Sequence, residues 1–526
     1  GAALNTTRAR APGFSAAADR VTRAVLRRER IAVFGDYDVD GVTTAALLTT
    51  FLRAAGAHVE PRVARRDAGY GFTVDAAADF AAAGCRLVIT GDCGTSDLAA
   101  ISAAAAHGLD VVVIDHHTVP AADAPHPALS LVNPYRPDST FPFRGMASVG
   151  LAFYAAAAVR TELRDRRHFD RVGRPEPDVR ELLDLVALGT IADLVPLSSE
   201  NRILTSLGLR RLHARVRPGV AALLAAAGVA PEREIDARVV SWTLAPRINA
   251  PGRLGAAEPA LAMLLADEHT AAERAQAIEA VNTERRAVQD RVVEEALAQL
   301  GDRDPGPAIV LAGEGWPAGV VGIVAAKLVD RYQRPAFVVG VDPETGVGRG
   351  SARSAGGVNL YRALGEAAPH LERFGGHAAA AGFSVRRDEL PALAEILASA
   401  CTRLAAGSGP VPAGREVDAE VRLAEVDERL AEELAGLGPF GQDNPAPVLA
   451  TRNVRVTAVR RVGDGSHLKL TVEDDRAASR SAIGFSLGDR PVEVGARVDL
   501  AFLPKVSTWQ GRRNAELELA DVTFAS

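Results

Sequence analysis

The chain has 526 residues, too many for one hydrophobic core, so roughly two to four domains are expected. An apolar content of 48% excludes a disordered chain, and no run approaches the ~18 apolar residues of a membrane helix. The net charge of −6 excludes a uniformly basic nucleic-acid binder, but it does not bear on how the basic groups cluster.

From the N-terminus, residues 1–256 alternate between short apolar runs and helical stretches. Ile31–Gly35, Leu87–Thr90, Val111–Ile114 and Leu185–Ala192 have the apolar character of buried parallel strands. Helices fit Thr43–Ala55, Val74–Ala83 and Asp97–His107. Such alternation predicts an α/β domain with a mainly parallel sheet. Residues 161–180, charged and Pro-containing, suit a surface excursion. Residues 257–300, rich in Ala, Glu, Arg and Gln, are expected to form connecting helices between two lobes. Between 301 and 408, strands Ala308–Leu311 and Ala336–Gly340 flank a helix at Val320–Tyr332, and another helix fits Asp388–Ala406; this is a smaller α/β domain. Ala406–Gly414 has linker composition and leads into a third region, 409–526. Val454–Arg460, His467–Glu473, Ser481–Phe485, Arg497–Leu503 and Ala515–Val522 alternate as strands, separated by turns such as Gly463-Asp464-Gly465. That pattern fits a small β-barrel, with the OB-fold as the natural candidate.

All four N-terminal apolar runs end in acid. Asp36, Asp38 and Asp40 follow the first, Asp92 the second, Asp115-His116-His117 the third and Asp193 the fourth. Open α/β sheets place their ligand sites at the carboxyl ends of strands, which would gather these carboxylates on one edge. Their mutual repulsion is most simply relieved by cations, and an oxygen-rich set with imidazole suits Mn²⁺ or Mg²⁺. Asp36, Asp38, Asp92, His116 and Asp193 are enough for two ions sharing a carboxylate, the arrangement that hydrolyses phosphoesters. Neighbours on an extended chain face opposite ways, so His116 is the expected ligand and His117 a phosphate contact or an orienting group. Asp40 and Asp115 are expected to support the ligands from behind. An EF-hand reading of Asp36–Gly41 fails, because Leu47 stands where the bidentate Glu belongs. The three cysteines fit a reducing cytoplasm, and Cys93 lacks a CxxC partner for zinc.

The ordered set Gly35–Gly41, Gly91–Gly94, Asp115–His117 and Gly189–Asp193 resembles the four motifs of the DHH phosphoesterase superfamily. Gly348–Ser354 and Phe374–Gly382 are similar to its DHHA1 domain, and Asn249–Arg253 and Pro439–Pro445 to segments of its bacterial exonuclease branch. The resemblance implies a 5′→3′ exonuclease that degrades single-stranded DNA to 5′-mononucleotides, in repair and recombination. It also implies that the DHHA1 segments bind substrate, and by analogy a helicase and a single-strand-binding protein as partners of a cytoplasmic monomer.

Gly-rich turns let a backbone approach an anion, and arginine suits bidentate phosphate contact. Arg349, Ser351, Arg353, Gly375, Gly376 and His377 are therefore candidate phosphate ligands. Arg247, Asn249 and Arg253 form a second set and Arg65 with Arg66 a third. In the barrel, Lys469, Lys505 and Trp509 are candidate DNA contacts. Three other readings compete. An enzyme for short oligonucleotides or a pyrophosphatase leaves the barrel unexplained. An inert DNA-binding scaffold should have lost metal ligands, and this chain retains them.

Overall fold

The computed structural model describes residues 13–66, 69, 71–120, 124–406, 416–509 and 512–525. These fall into two compact units, one of residues 1–195 and 199–411, the other of residues 196–198 and 412–526.

The first unit is built on a five-stranded sheet of order β2-β1-β3-β4-β5, parallel throughout: β1 Arg30–Gly35, β2 His58–Val63, β3 Leu87–Gly91, β4 Asp110–Ile114 and β5 Ser130–Val132. Alternate residues along each strand point to opposite faces. Ala32, Phe34, Val88, Val111 and Val113 pack on one side with Phe80, Ala100 and Ile101, from α3 (Val74–Ala82) and α4 (Leu98–Ala106). Ile89, Val112 and Ile114 face the other side, towards α1 (Phe14–Leu26), α2 (Val39–Ala54) and α5 (Ser148–Asp165). Burial on both faces is why these runs carry no polar alternation.

One expected strand is a helix. Leu185–Ala192 belongs to α6, Leu183–Ala192, and every residue of it except Ala192 is buried. A helix surrounded by protein loses its 3.6-residue polar stripe and cannot be told from a buried strand by pattern. Asp193 therefore arrives at a helix C-cap and not at a strand end.

After α7 (Ser199–His213) and α8 (Ala245–Leu254), the 30-residue α9 (Ala271–Leu300) leads to the second lobe. Arg247 of α8 forms a two-pronged pair with Glu279 of α9. The second lobe is a mixed sheet of order β6-β7-β8-β10-β9: Ile309–Glu314, Ala336–Val341, Val347–Arg353, Ala380–Arg386 and Arg373–Gly376 respectively. α10 (Ala318–Tyr332) covers one face through Val320, Val321 and Val324; α11 (Leu360–Glu366) and α12 (Leu390–Ala406) cover the other.

In the second unit β12 (Leu449–Val462), β13 (His467–Glu473), β14 (Ser479–Gly484), β16 (Arg512–Phe524) and β15 (Arg497–Trp509) form a ring, closed by the pairing of β15 with β12. Closure removes the free edges of these five strands, and the two-residue β11 (Ala419–Glu420) pairs in parallel with the start of β12. The interior holds Leu468, Leu470, Val472, Phe502 and Leu517. The linker expected at Ala406–Gly414 falls, from residue 407 on, outside the described residues.

Phe502 is fully buried in the barrel. Phe502→Ala should cost about 3–5 kcal/mol by leaving a cavity. Hydrogen exchange followed by mass spectrometry should speed up across β12–β16 and stay unchanged in β1–β5.

Candidate metal centre

The carboxyl ends of β1, β3 and β4 and the C-cap of α6 converge, with geometry that only the fold supplies. Asp36 directly follows β1 and is buried. Asp38 is the N-cap of α2 and accepts from the Gly41 amide at 3.1 Å. The turn between them is tight enough that a Cβ on Gly35 would lie 2.3 Å from the Gly41 carbonyl oxygen. Asp92 adopts φ +63°, strained for an L-residue, and its Oδ1 accepts from Ser148 Oγ at 3.1 Å. Asp40 receives two backbone amides from the first turn of α5, Ser148 at 2.7 Å and Val149 at 3.0 Å. It caps a helix other than its own and locks α5 to α2 behind the site. Gly189 keeps that space: a Cβ there would meet Thr43 Oγ1 at 2.5 Å and Asp40 Oδ1 at 2.9 Å.

His116 Nε2 lies 3.3 Å from both Asp92 Oδ1 and Asp193 Oδ2, and 3.9 Å from Asp40 Oδ2. The two imidazoles do not diverge. The chain leaves the extended conformation after Ile114, and the rings sit 4.8 Å apart, both facing the carboxylates. Asp115 works from behind: it accepts from the amides of Thr95, His116 and His117 and from His117 Nδ1 at 2.7 Å.

Burial and crowding decide the protonation. Burial, reinforced by Asp38, raises Asp36 to about 8 and Asp40 to about 7. Burial together with Asp40 and Asp38 raises Asp193 to about 9, and Asp92 is pushed well above the carboxylate range for the same kind of reason. Burial and the neighbouring His117 drive His116 down to about 4, so it is neutral and able to ligate. Burial disfavours charge on His117 too, but the Asp115 hydrogen bond and charge outweigh it and raise His117 to about 9. Burial likewise works against the Asp115 anion, yet bonds from His117 and Thr95 hold its pKa below the ordinary value.

Three atoms test the fit of a cation. Asp36 Oδ1, His116 Nε2 and Asp193 Oδ2 are buried without a hydrogen-bond partner. Buried polar atoms are normally satisfied, and these three are all metal-ligating types. Asp36–Asp38–Asp92, Asp40–His116–Asp193 and Asp92–His116–His117 each bring ligand atoms within 4.8 Å of one another. Hard oxygen donors with imidazole fit Mn²⁺ or Mg²⁺, and Asp92 belongs to two of the groups.

Beside this cluster lies an arginine-rich surface spanning both lobes of the first unit. Arg66 stacks on the Tyr37 ring at 4.0 Å and donates to the Gly252 carbonyl at 2.8 Å. Arg253 donates to the Gly319 carbonyl at 2.9 Å; burial and the nearby Arg66, Arg285 and Arg353 lower it to about 10. Among the described residues no carboxylate pairs with Arg66, Arg253 or Arg353. Arg65 bridges to Ala256, and Asn249 is half-buried on α8. Gly375 and Gly376 lie on the edge strand β9, with His377 exposed just beyond it, while Ser351 pairs in register with Gly382.

Other expected contacts are engaged elsewhere. Arg247 is committed to Glu279 and is buried, so it joins helices and does not face a phosphate. Lys469 pairs with Glu516 at 3.0 Å and Lys505 with Glu518 at 2.6 Å, so each barrel lysine already has a counter-charge. The side chain of Trp509 lies outside the described residues. Sequence reasoning missed Ser148, which serves Asp92 and Asp40, and Asn133, which donates to the His117 carbonyl at 2.8 Å. Asn133 directly follows β5, and that position was its one available signal.

Comparisons agree with this architecture. Residues 30–190 match the DHH family N-terminal domain, 305–403 the DHHA1 domain and 417–521 the RecJ OB domain. The single-stranded-DNA-specific exonuclease RecJ of Dickeya dadantii is 36% identical over 96% of this chain and 89% of its own length. The chain belongs to the RecJ family. It is also 35% identical to Bacillus subtilis RecJ over 98% of its length, but spans only 64% of that relative. The crystal structure of Thermus thermophilus RecJ in complex with Mn²⁺ superposes with a TM-score of 0.80 at 30% identity, over 98% of this chain and 72% of that one.

Stability should report the strained charges. Above pH 6.5 the folded state holds protons on Asp36, Asp40, Asp193 and His117 that the unfolded chain has released. Stability without metal should therefore fall as pH rises from about 6.5 to 9. Mn²⁺ should stabilise most at the high end, because binding displaces those protons. Thermal melts in EDTA and in Mn²⁺ across that range check both signs.

Proposed function

We propose that this chain is a metal-dependent, single-stranded-DNA-specific 5′→3′ exonuclease that releases 5′-mononucleotides. The observation that carries the reading is the convergence of unpartnered Asp36 Oδ1, His116 Nε2 and Asp193 Oδ2 beside Arg66, Arg253 and Arg353, which pair with no carboxylate among the described residues. Family membership supplies the substrate class, since the relatives are named single-stranded-DNA-specific exonucleases.

Asp36, Asp38, Asp92, His116 and Asp193 would hold two Mn²⁺ or Mg²⁺ ions, with Asp92 shared. Such a pair activates a water and neutralises charge on both oxygens of the displacement. Asp40 fixes α2 against α5, and Ser148 orients Asp92. His117, held protonated by Asp115, donates a hydrogen bond to a non-bridging phosphate oxygen or a proton to the leaving 3′-oxygen. Arg66, Arg253 and Arg353 grip the terminal phosphate, and Ser351 with the Gly375–His377 edge holds the next part of the backbone. Contacts to backbone and not to bases predict little sequence preference. Buried reduced cysteines suit the cytoplasm, and repair or recombination beside a helicase and single-strand-binding protein is the setting we assign to a monomer.

The test uses single-stranded DNA labelled at either end. A 5′ label should appear at once as mononucleotide while the 3′-labelled strand shortens gradually, and EDTA should stop both. Asp92→Ala should lower the rate about 100-fold or more while the protein still binds the strand. DNA that is bound but left intact with every metal would leave an inert scaffold. Cleavage of di- to tetranucleotides alone would make this a short-oligonucleotide enzyme.

The arginine grip predicts a further result. Arg353→Ala should weaken binding of 5′-phosphorylated strands in EDTA and reduce the slope of log affinity against log salt by about one. Lys469→Ala should leave that slope unchanged, because Glu516 already neutralises Lys469. Fluorescence anisotropy at several salt concentrations reads both.

A further inference from the structure

Asn133 directly follows β5, the edge strand of the first sheet, and so stands at the carboxyl edge where the acids gather. An asparagine at a strand end commonly makes a local turn, and its oxygen does so here, accepting from the Tyr135 amide at 2.8 Å. That bond leaves both N–H donors of the side chain to be satisfied. Asn133 is buried, so the protein must supply the acceptors. They come from two other loops: the Thr95 hydroxyl after β3, at 3.0 Å, and the His117 backbone carbonyl after β4, at 2.8 Å. An aspartate could serve the turn but could not donate to that carbonyl, and it would add another carboxylate to an acidic edge.

These bonds close a ring. Thr95 donates its amide to Asp115 Oδ2 at 3.1 Å, Asp115 Oδ1 takes His117 Nδ1 at 2.7 Å, and the His117 carbonyl returns to Asn133. Asp115 and Thr95 are buried like Asn133. The imidazole they hold is not: the His117 side chain is 43% exposed, against 14% for His116. An exposed side chain ordinarily samples several rotamers. This one is held at its ring nitrogen by Asp115 and at its main chain by Asn133. The ring therefore fixes the more accessible of the two imidazoles, with anchors drawn from the ends of three neighbouring strands.

We propose that Asn133 is a positioning residue: by clamping the His117 main chain to Thr95 it sets the direction of the imidazole towards the scissile phosphate. The inference rests on the exonuclease reading for the identity of that phosphate. Asn133 is buried and acts through the His117 backbone and the Thr95–Asp115 link, not by touching substrate. Preorganising one donor in this way is felt in the chemical step and not in strand binding.

The test compares Asn133→Ala, Asn133→Asp, His117→Ala and the double variant Asn133→Ala/His117→Ala. Cleavage of single-stranded DNA in Mn²⁺ gives kcat and KM separately, and strand binding is measured in EDTA. Asn133→Ala should lower kcat about tenfold and leave KM and EDTA binding within about twofold of the parent, the scale of a lost orienting partner. Asn133→Asp keeps the oxygen that serves Tyr135 and loses the bond to His117, so its kcat should fall at least as far. His117→Ala should cost about 100-fold in kcat, and the double variant should be no worse, since both act through one imidazole. A parental kcat in Asn133→Asp would overturn the proposal by showing that only the turn matters. Multiplied losses in the double variant, or a raised KM with unchanged kcat, would overturn it as well. Hydrogen exchange reads the clamp without activity. Peptide 115–120 should exchange faster in both Asn133 variants while peptide 36–41 stays as in the parent, and unchanged exchange at 115–120 refutes the clamp. If Asn133→Ala does not fold, Thr95→Val and Thr95→Ser decide. Thr95→Val removes the acceptor hydroxyl and should lower kcat about fivefold, whereas Thr95→Ser keeps it and should stay within about twofold. Equal losses in those two refute the proposal. A parent that hydrolyses bis(4-nitrophenyl) phosphate in Mn²⁺ but leaves single strands intact would sink the exonuclease reading alone, and the same variants would then be ranked on that diester.

Discussion

Like charges forced together out of water organise this molecule. Asp36, Asp38, Asp40, Asp92 and Asp193 lie at the edge of one sheet with so little solvent that four of them are raised above the carboxylate range. An apolar fold does not gather such a set without compensation, because each unneutralised carboxylate costs several kcal/mol there. The compensation is built in layers. Backbone amides of α5 serve Asp40, the imidazoles stand between the acids, and the remaining unpartnered atoms are those a cation would take. The parallel sheet, the tight Gly35–Gly41 turn and the strained backbone at Asp92 are all means to that concentration of charge.

The second lobe answers the opposite need. A phosphate chain is an anion, and the acidic edge alone would repel it. Arg66 and Arg253 from the first lobe and Arg353 from the second form a cationic surface that lacks carboxylate partners among the described residues, and burial together with the neighbouring arginines lowers Arg253. Arg66 bridges the two regions, since it stacks on the tyrosine set between two acidic ligands. Charge separation over a short distance, acid for a metal and base for a phosphate, would let a chain of net negative charge handle nucleic acid without a globally basic surface.

Much of this was legible in the chain. β-Branched runs ending in acid located β1, β3 and β4 and the carboxylates after them, because burial on both faces leaves a continuous apolar run. The alternating segments after residue 450 announced the barrel. What stayed hidden depended on contacts distant in sequence. Leu185–Ala192 hid its helical nature because it is buried all round. Lys469 and Lys505 looked like free cations, since nothing in a sequence shows that Glu516 and Glu518 stand opposite them. Arg247 looked like a phosphate ligand until Glu279 appeared beside it. Ser148 and Asn133 reach Asp92 and His117 across separations of 56 and 16 residues through hydrogen bonds that leave no pattern along the chain.

The long helix α9 carries a consequence of another kind. Its 30 residues make a rod about 45 Å long. One residue inserted into such a rod turns everything beyond it by about 100° and advances it by about 1.5 Å. Its buried stripe, Ile278, Asn282, Arg285, Gln289, Val292 and Ala296, would then rotate out of its groove. The helix behaves as a ruler with a fixed thread. Descendants of this gene can vary its surface residues freely, but they can change its length only in steps close to a whole number of turns, about 7 or 11 residues. Residue count in this stretch is therefore expected to be more constrained than residue identity.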